Sequence, residues 1–124
     1  MSLHPELLAA IERDFGERLA AAPQLTQDAL LVTLPGGTTL TVRYAAPDAY
    51  SLHWQVAEGA HVHHLGIDTA PTHPTLSTRP NHLHLADGRV VADPLTRPEA
   101  APAVNLATVL RALLTDPLLS SLAT

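Results

Sequence analysis

Asn81-His82-Leu83-His84 carries two imidazoles at positions i and i+2. In an extended strand both project from the same face. Upstream, His73 lies in the proline-rich run Ala70-Pro71-Thr72-His73-Pro74, and His53 lies in Tyr50-Ser51-Leu52-His53-Trp54-Gln55. The stretch from Ala70 to His84 holds three of the chain's eight histidines and three of its eleven prolines. Histidine is the side chain whose charge changes near neutral pH, so stiffened backbone bearing several imidazoles points to acid–base or metal chemistry. As an acid–base set, one imidazole removes a proton while a protonated one delivers a proton to a leaving oxygen. That is the requirement for metal-independent RNA cleavage by the ribose 2′-hydroxyl, with an arginine stabilising the charge that builds on phosphorus. As a metal site, His82 and His84 supply two ligands and His73, His53 or Asp68 a third, which fits a catalytic zinc centre that also keeps a water. Residue types alone leave both readings open.

The elements that must position these residues follow from hydrophobic periodicity. Pro5 to Ala20 reads as a helix with Leu7, Leu8, Ile11, Phe15 and Leu19 on one face, weakened at Gly16. From Ala29 the period becomes two. Leu30, Val32 and Leu34 precede the turn Pro35-Gly36-Gly37-Thr38; Leu40, Val42 and Tyr44 form the next strand, and Tyr50, Leu52, Trp54 and Val56 the one after. Ala60 to Ile67 is a fourth strand of ambiguous register: either His61 and His63 or Val62 and His64 face the core, and a one-residue slip exchanges them. These three histidines are read as structural or solvated. Asp68 to Asn81 reads as a long ordered loop, of a length that is usually functional or disordered. His82 to Ala86 and Arg89 to Ala92 flank Asp87-Gly88, a hairpin signal. Asn105 to Leu114 is a second helix, with a short helical tail after Asp116-Pro117. The expected fold is α+β: one domain over residues 1–124, with a single antiparallel sheet of about five to six strands and the N- and C-terminal helices on one face. Tyr50 and Trp54 belong to the covered face. The open face carries Arg43, His53 and Gln55, joined by His82 and His84 if these point the same way.

Composition narrows the function classes. The chain has 124 residues, 46% of them hydrophobic, which suits one modest core. No apolar run approaches the roughly 18 residues of a membrane span. The start lacks a basic and then an apolar region, so no signal peptide is expected and a cytoplasmic location is. Absence of cysteine excludes disulfides, thiolate metal ligands and a cysteine nucleophile. All seven basic residues are arginine, and the net charge is −5. General electrostatic affinity for nucleic acid is therefore excluded, and any RNA contact rests on a local cluster. Gly-rich phosphate loops and nucleophile elbows are missing.

The segments Tyr50-Ser51-Leu52-His53-Trp54-Gln55, Asp68-Thr69-Ala70-Pro71-Thr72-His73-Pro74 and Ser77-Thr78-Arg79-Pro80-Asn81-His82-Leu83-His84 resemble the TumE-like toxins of type II toxin–antitoxin systems. The resemblance extends over roughly residues 29–114 and includes the helix–strands–helix order. Thr72 and Asn81 stand where the family often has histidine, Gly66 where arginine is common, and Arg79 where an aromatic is common. The resemblance implies a growth-inhibiting toxin neutralised by a small antitoxin with a DNA-binding helix-turn-helix. Combined with the residue chemistry, it leads to a toxin that cleaves RNA without a metal cofactor. His73, His82, His84 and His53 are then the catalytic imidazoles, Asp68 orients one of them, and Arg79, Arg43 and Gln55 bind substrate. A zinc-dependent hydrolase or metal-binding protein using His73, His82 and His84 is one alternative, and a non-catalytic binding module another. Dimerisation would cover an unpaired strand edge, so a homodimer is also expected.

Overall fold

The computed structural model describes residues 3–70 and 80–122. Helix α1 (His4–Phe15) is followed by strands β1 (Gln24–Leu25), β2 (Leu30–Leu34), β3 (Thr38–Ala46), β4 (Ala49–Glu58), β5 (His61–Asp68), β6 (His82–His84) and β7 (Val90–Ala92), and then by helix α2 (Pro102–Thr115). The strands form one sheet in sequence order, each antiparallel to the next. The sheet therefore has seven strands rather than five or six. The additional one is β1, whose two exposed residues pair with Leu30 and Leu31. Two residues carry no readable period, which is why this strand escapes a pattern-based reading.

α1 ends at Phe15, and Gly16–Arg18 tightens into a 3-10 turn, so the predicted helix to Ala20 is shortened at its glycine. α2 begins three residues before Asn105, because Pro102 suits a first helical turn. At the turn between β2 and β3, Gly36 and Gly37 take φ of 80° and 88°, a conformation that disfavours side chains with a Cβ.

One side of the sheet is buried. Leu40, Val42 and Tyr44 of β3 alternate with exposed or half-buried neighbours, and so do Leu52, Trp54 and Val56 of β4. These side chains share one core cluster with Leu7, Ile11 and Phe15 of α1 and Leu106, Val109, Leu110 and Leu113 of α2. Two polar contacts fasten the ends of the chain to this core. Trp54 Nε1–H donates to the Pro117 carbonyl at 2.8 Å, tying the segment after α2 to the central strand. β2 pairs with β3 only as far as Val42, and beyond it the Tyr44 N–H donates to His4 Nε2 at 3.0 Å. His4 thus closes a strand end that β2 is too short to cover.

The register of β5 is settled by its partners. His63, Leu65 and Ile67 lie opposite Val56, Trp54 and Leu52, so the odd-numbered set shares the covered side. His64, Gly66 and Asp68 lie opposite Gln55, His53 and Ser51 on the other side.

Candidate functional site

Antiparallel pairing sets side chains of opposed residues on the same face. β3, β4, β5 and β6 therefore build two adjacent rows on the open face: Arg43–Ser51–Asp68–His82 and Thr41–His53–Gly66–His84. Gln55 and His64 form the next row outward. His53, His82 and His84 thus share a face, as the i, i+2 spacing predicts, and Asp68 stands among them.

The Asp68 carboxylate is the hub. Its Oδ1 lies 2.9 Å from His82 Nε2, and its Oδ2 lies 3.2 Å from His84 Nε2 and 3.7 Å from His53 Nε2. The Ala70 backbone N–H donates to Oδ1 at 3.1 Å, turning the carboxylate at the end of β5 toward the imidazoles. The side chains differ sharply in exposure: His82 is 2% exposed, Asp68 18%, His84 37% and His53 49%. The His82 and His84 rings meet edge to face at 4.8 Å, and the His53 and His84 rings lie 6.5 Å apart. Burial holds the His53 imidazole below the ordinary histidine value; nearby His84, Arg43 and His82 add to the effect, while Asp68 opposes it.

His82 is locked at both ring nitrogens. Nδ1 lies 3.1 Å from the Pro80 carbonyl oxygen, which can only accept, so Nδ1 carries the hydrogen. Nε2 then points at Asp68. The backbone that delivers His82 is itself anchored. Asn81 Nδ2 donates to Asp93 Oδ2 and to the Thr96 carbonyl, both at 2.8 Å. Asp93 Oδ1 accepts from the Leu95 and Thr96 N–H groups at 2.8 and 3.2 Å, and Thr96 Oγ1 donates to Asp93 Oδ2. With that hydroxyl hydrogen committed, Tyr50 O–H donates to Thr96 Oγ1 at 2.7 Å. Burial pushes the Tyr50 phenol up to about 12, so it remains a donor near neutral pH. Asn81, Asp93, Thr96 and Tyr50 are all buried. Asn81 is thus a bracket between β6 and the connector after β7.

Gly66 has a steric role. His53 lies across it, and a Cβ at position 66 would meet His53 Nδ1 at 2.6 Å and Cε1 at 2.9 Å. The missing side chain lets the His53 ring lean over β5 toward Asp68. Gly66→Ala is therefore expected to swing His53 out of the cluster. Stability should change by less than about 1 kcal/mol. The His53 ring proton signals in the NMR spectrum report the displacement; signals identical to wild type would contradict it.

Of the sequence-predicted residues, His53, Asp68, His82 and His84 come together. Arg43 is exposed and shares the Asp68 row two strands away, roughly 10 Å at ~4.8 Å per strand. Gln55 is exposed one row from His53. His73 and Arg79 lie outside the described residues. His61 and His63 belong to the opposite side, where His63 Nε2 lies 3.6 Å from Glu58 Oε1. The bracket residues Asp93 and Thr96 escape a search for catalytic types. Their signal is local: an Asp followed three residues later by Thr after a proline, a pattern for capping backbone N–H groups.

The molecule is thus an α+β protein with one carboxylate and three imidazoles assembled on the open face of an antiparallel meander. A comparison with protein families matches residues 8–117 to the family described as Toxin TumE. The chain belongs to this toxin family, and the matched segment contains every residue of the cluster. A toxin of this kind has an antitoxin partner. Neither the curated proteins nor the solved structures contained a significant match. Among the described residues, no helix is long and apolar enough to cross a membrane.

Proposed function

We propose that the cluster around Asp68 is the toxin's catalytic centre and that it cleaves RNA without a metal. The observation carrying this reading is that two half-exposed imidazoles, His53 and His84, turn their Nε2 atoms toward one carboxylate oxygen, at 3.7 and 3.2 Å. The ribose 2′-oxygen attacks the adjacent phosphorus as its proton passes to His53. The bond from phosphorus to the 5′-oxygen breaks, and that oxygen takes a proton from His84. The products are a 2′,3′-cyclic phosphate and a 5′-hydroxyl. Asp68 orients both rings, and buried His82 holds Asp68. Arg43 and Gln55 bind the strand across the open face, with Arg79 as a further phosphate ligand and His73 as a further acid–base group. The toxin acts in the cytoplasm as a homodimer, and a helix-turn-helix antitoxin neutralises it.

Cleavage of cellular RNA by purified protein in excess chelator tests this reading. His53→Gln and His84→Gln should each lower the rate by about 10²-fold or more, the usual contribution of a positioned acid or base. Full activity in both variants overturns the assignment. Cleavage that stops in chelator favours instead a metal-dependent hydrolase on the same imidazoles. Growth arrest surviving both substitutions favours a non-catalytic toxin that blocks a partner.

A further inference from the structure

We propose that Asp68, His82 and His84, closed by His53, form a zinc-class divalent cation site whose occupation switches off the acid–base centre. This inference rests on the RNA-cleaving reading for its effect on activity, while the binding itself does not depend on that reading.

The ligand atoms of Asp68, His82 and His84 all lie within 4.8 Å of one another. Two ligands about 2.0–2.2 Å from a tetrahedral ion stand about 3.4 Å apart. The His82–Asp68 and His84–Asp68 separations of 2.9 and 3.2 Å therefore need only small adjustments to admit an ion. His82 is oriented as a ligand. Its Nδ1–H is directed to the Pro80 carbonyl, the outer contact that fixes the tautomer of metal-bound histidines and turns Nε2 to the ion. An Nε2 lone pair and a carboxylate oxygen at 2.9 Å repel unless a positive particle lies between them. A metal ion between them fills that role.

The donor set selects the ion class. Two or three imidazoles with one carboxylate suit a borderline ion such as Zn²⁺ over Mg²⁺ or Ca²⁺, which prefer all-oxygen surroundings. His53 is the fourth ligand in this proposal: its Nε2 lies 3.7 Å from Asp68 Oδ2, and its ring is half-exposed. Four protein ligands make a closed site with no position left for water, the pattern of non-catalytic zinc. Coordination also takes up Nε2 of both His53 and His84, so neither can move a proton.

The test is calorimetric titration of ZnCl₂ into the full chain, freed of metal by chelator and then of chelator. One ion per chain is expected, with affinity at least 10-fold weaker in His84→Gln and in Asp68→Asn. Both side chains are partly exposed, so the variants keep the fold where a change at buried His82 endangers it. Absence of saturable binding, or equal affinity in both variants, overturns the site; equal affinity would place the ion on other histidines. RNA cleavage is then read in chelator and at zinc saturation. Cleavage in chelator that zinc suppresses supports both the switch and the proposed chemistry. Cleavage unaffected by zinc, or dependent on it, overturns the switch. Absence of cleavage in both conditions overturns the RNA-cleaving reading and the switch with it, while the binding result still decides the site.

Discussion

Asp68→Asn is expected to abolish growth arrest and to lower RNA cleavage by at least about 10²-fold. Asparagine keeps an oxygen for the Ala70 N–H but loses the charge that gathers the imidazoles. Its amide nitrogen would face ring nitrogens that now meet a carboxylate oxygen. The half-exposed rings are then released to solvent orientations, and their Nε2 atoms no longer converge. Because Asp68 sits at the end of β5 and is only partly buried, the fold should survive; circular dichroism and thermal unfolding close to wild type would establish this. Unchanged growth arrest and cleavage in the folded variant would show that Asp68 does not organise the centre.

The second large effect is on stability. Asp93→Ala removes the acceptor shared by the Asn81 amide, the Thr96 hydroxyl and the backbone N–H groups of Leu95 and Thr96, all grouped where β7 ends. Hydrogen bonds to a charged group contribute about 1.5–3 kcal/mol each, and buried donors left unsatisfied add their desolvation cost. A net loss of about 3–5 kcal/mol is expected because the contributions overlap. A fall in melting temperature on the order of 10 °C should accompany it. Asn81 adjoins His82, so activity should fall along with stability. Urea unfolding checks the magnitude. A loss below about 1 kcal/mol would mean that β6 is held by sheet pairing alone.

The strands bearing the cluster were legible because one sheet face is buried. Leu40, Val42 and Tyr44, then Leu52 and Trp54, fix the parity of β3 and β4, and this forces Arg43, His53 and Gln55 to the open face. His82 and His84 follow from the same parity across β6. β5 resisted reading because its first half is exposed, half-buried at most at His63, and encodes no inward face; the partners on β4 decide its register. The strand count fell one short because β1 consists of two exposed residues. The role of Asp68 as hub depends on register across three strands, which is long-range information that no local spacing contains. Gly66 similarly reads as a missing side chain in sequence, and acquires meaning only once His53 is seen lying over it. His4 and Asp93 are recognisable only from what they touch: a strand end forty residues away in one case, an amide beside the site in the other.

The measurement that tests the central claim most directly is the chemical identity of RNA ends produced by the purified protein in excess chelator. Attack by the 2′-hydroxyl, with His53 and His84 moving the protons, predicts 2′,3′-cyclic phosphate on one fragment and 5′-hydroxyl on the other. Fragments ending in 3′-hydroxyl and 5′-phosphate, or RNA left intact, would contradict it.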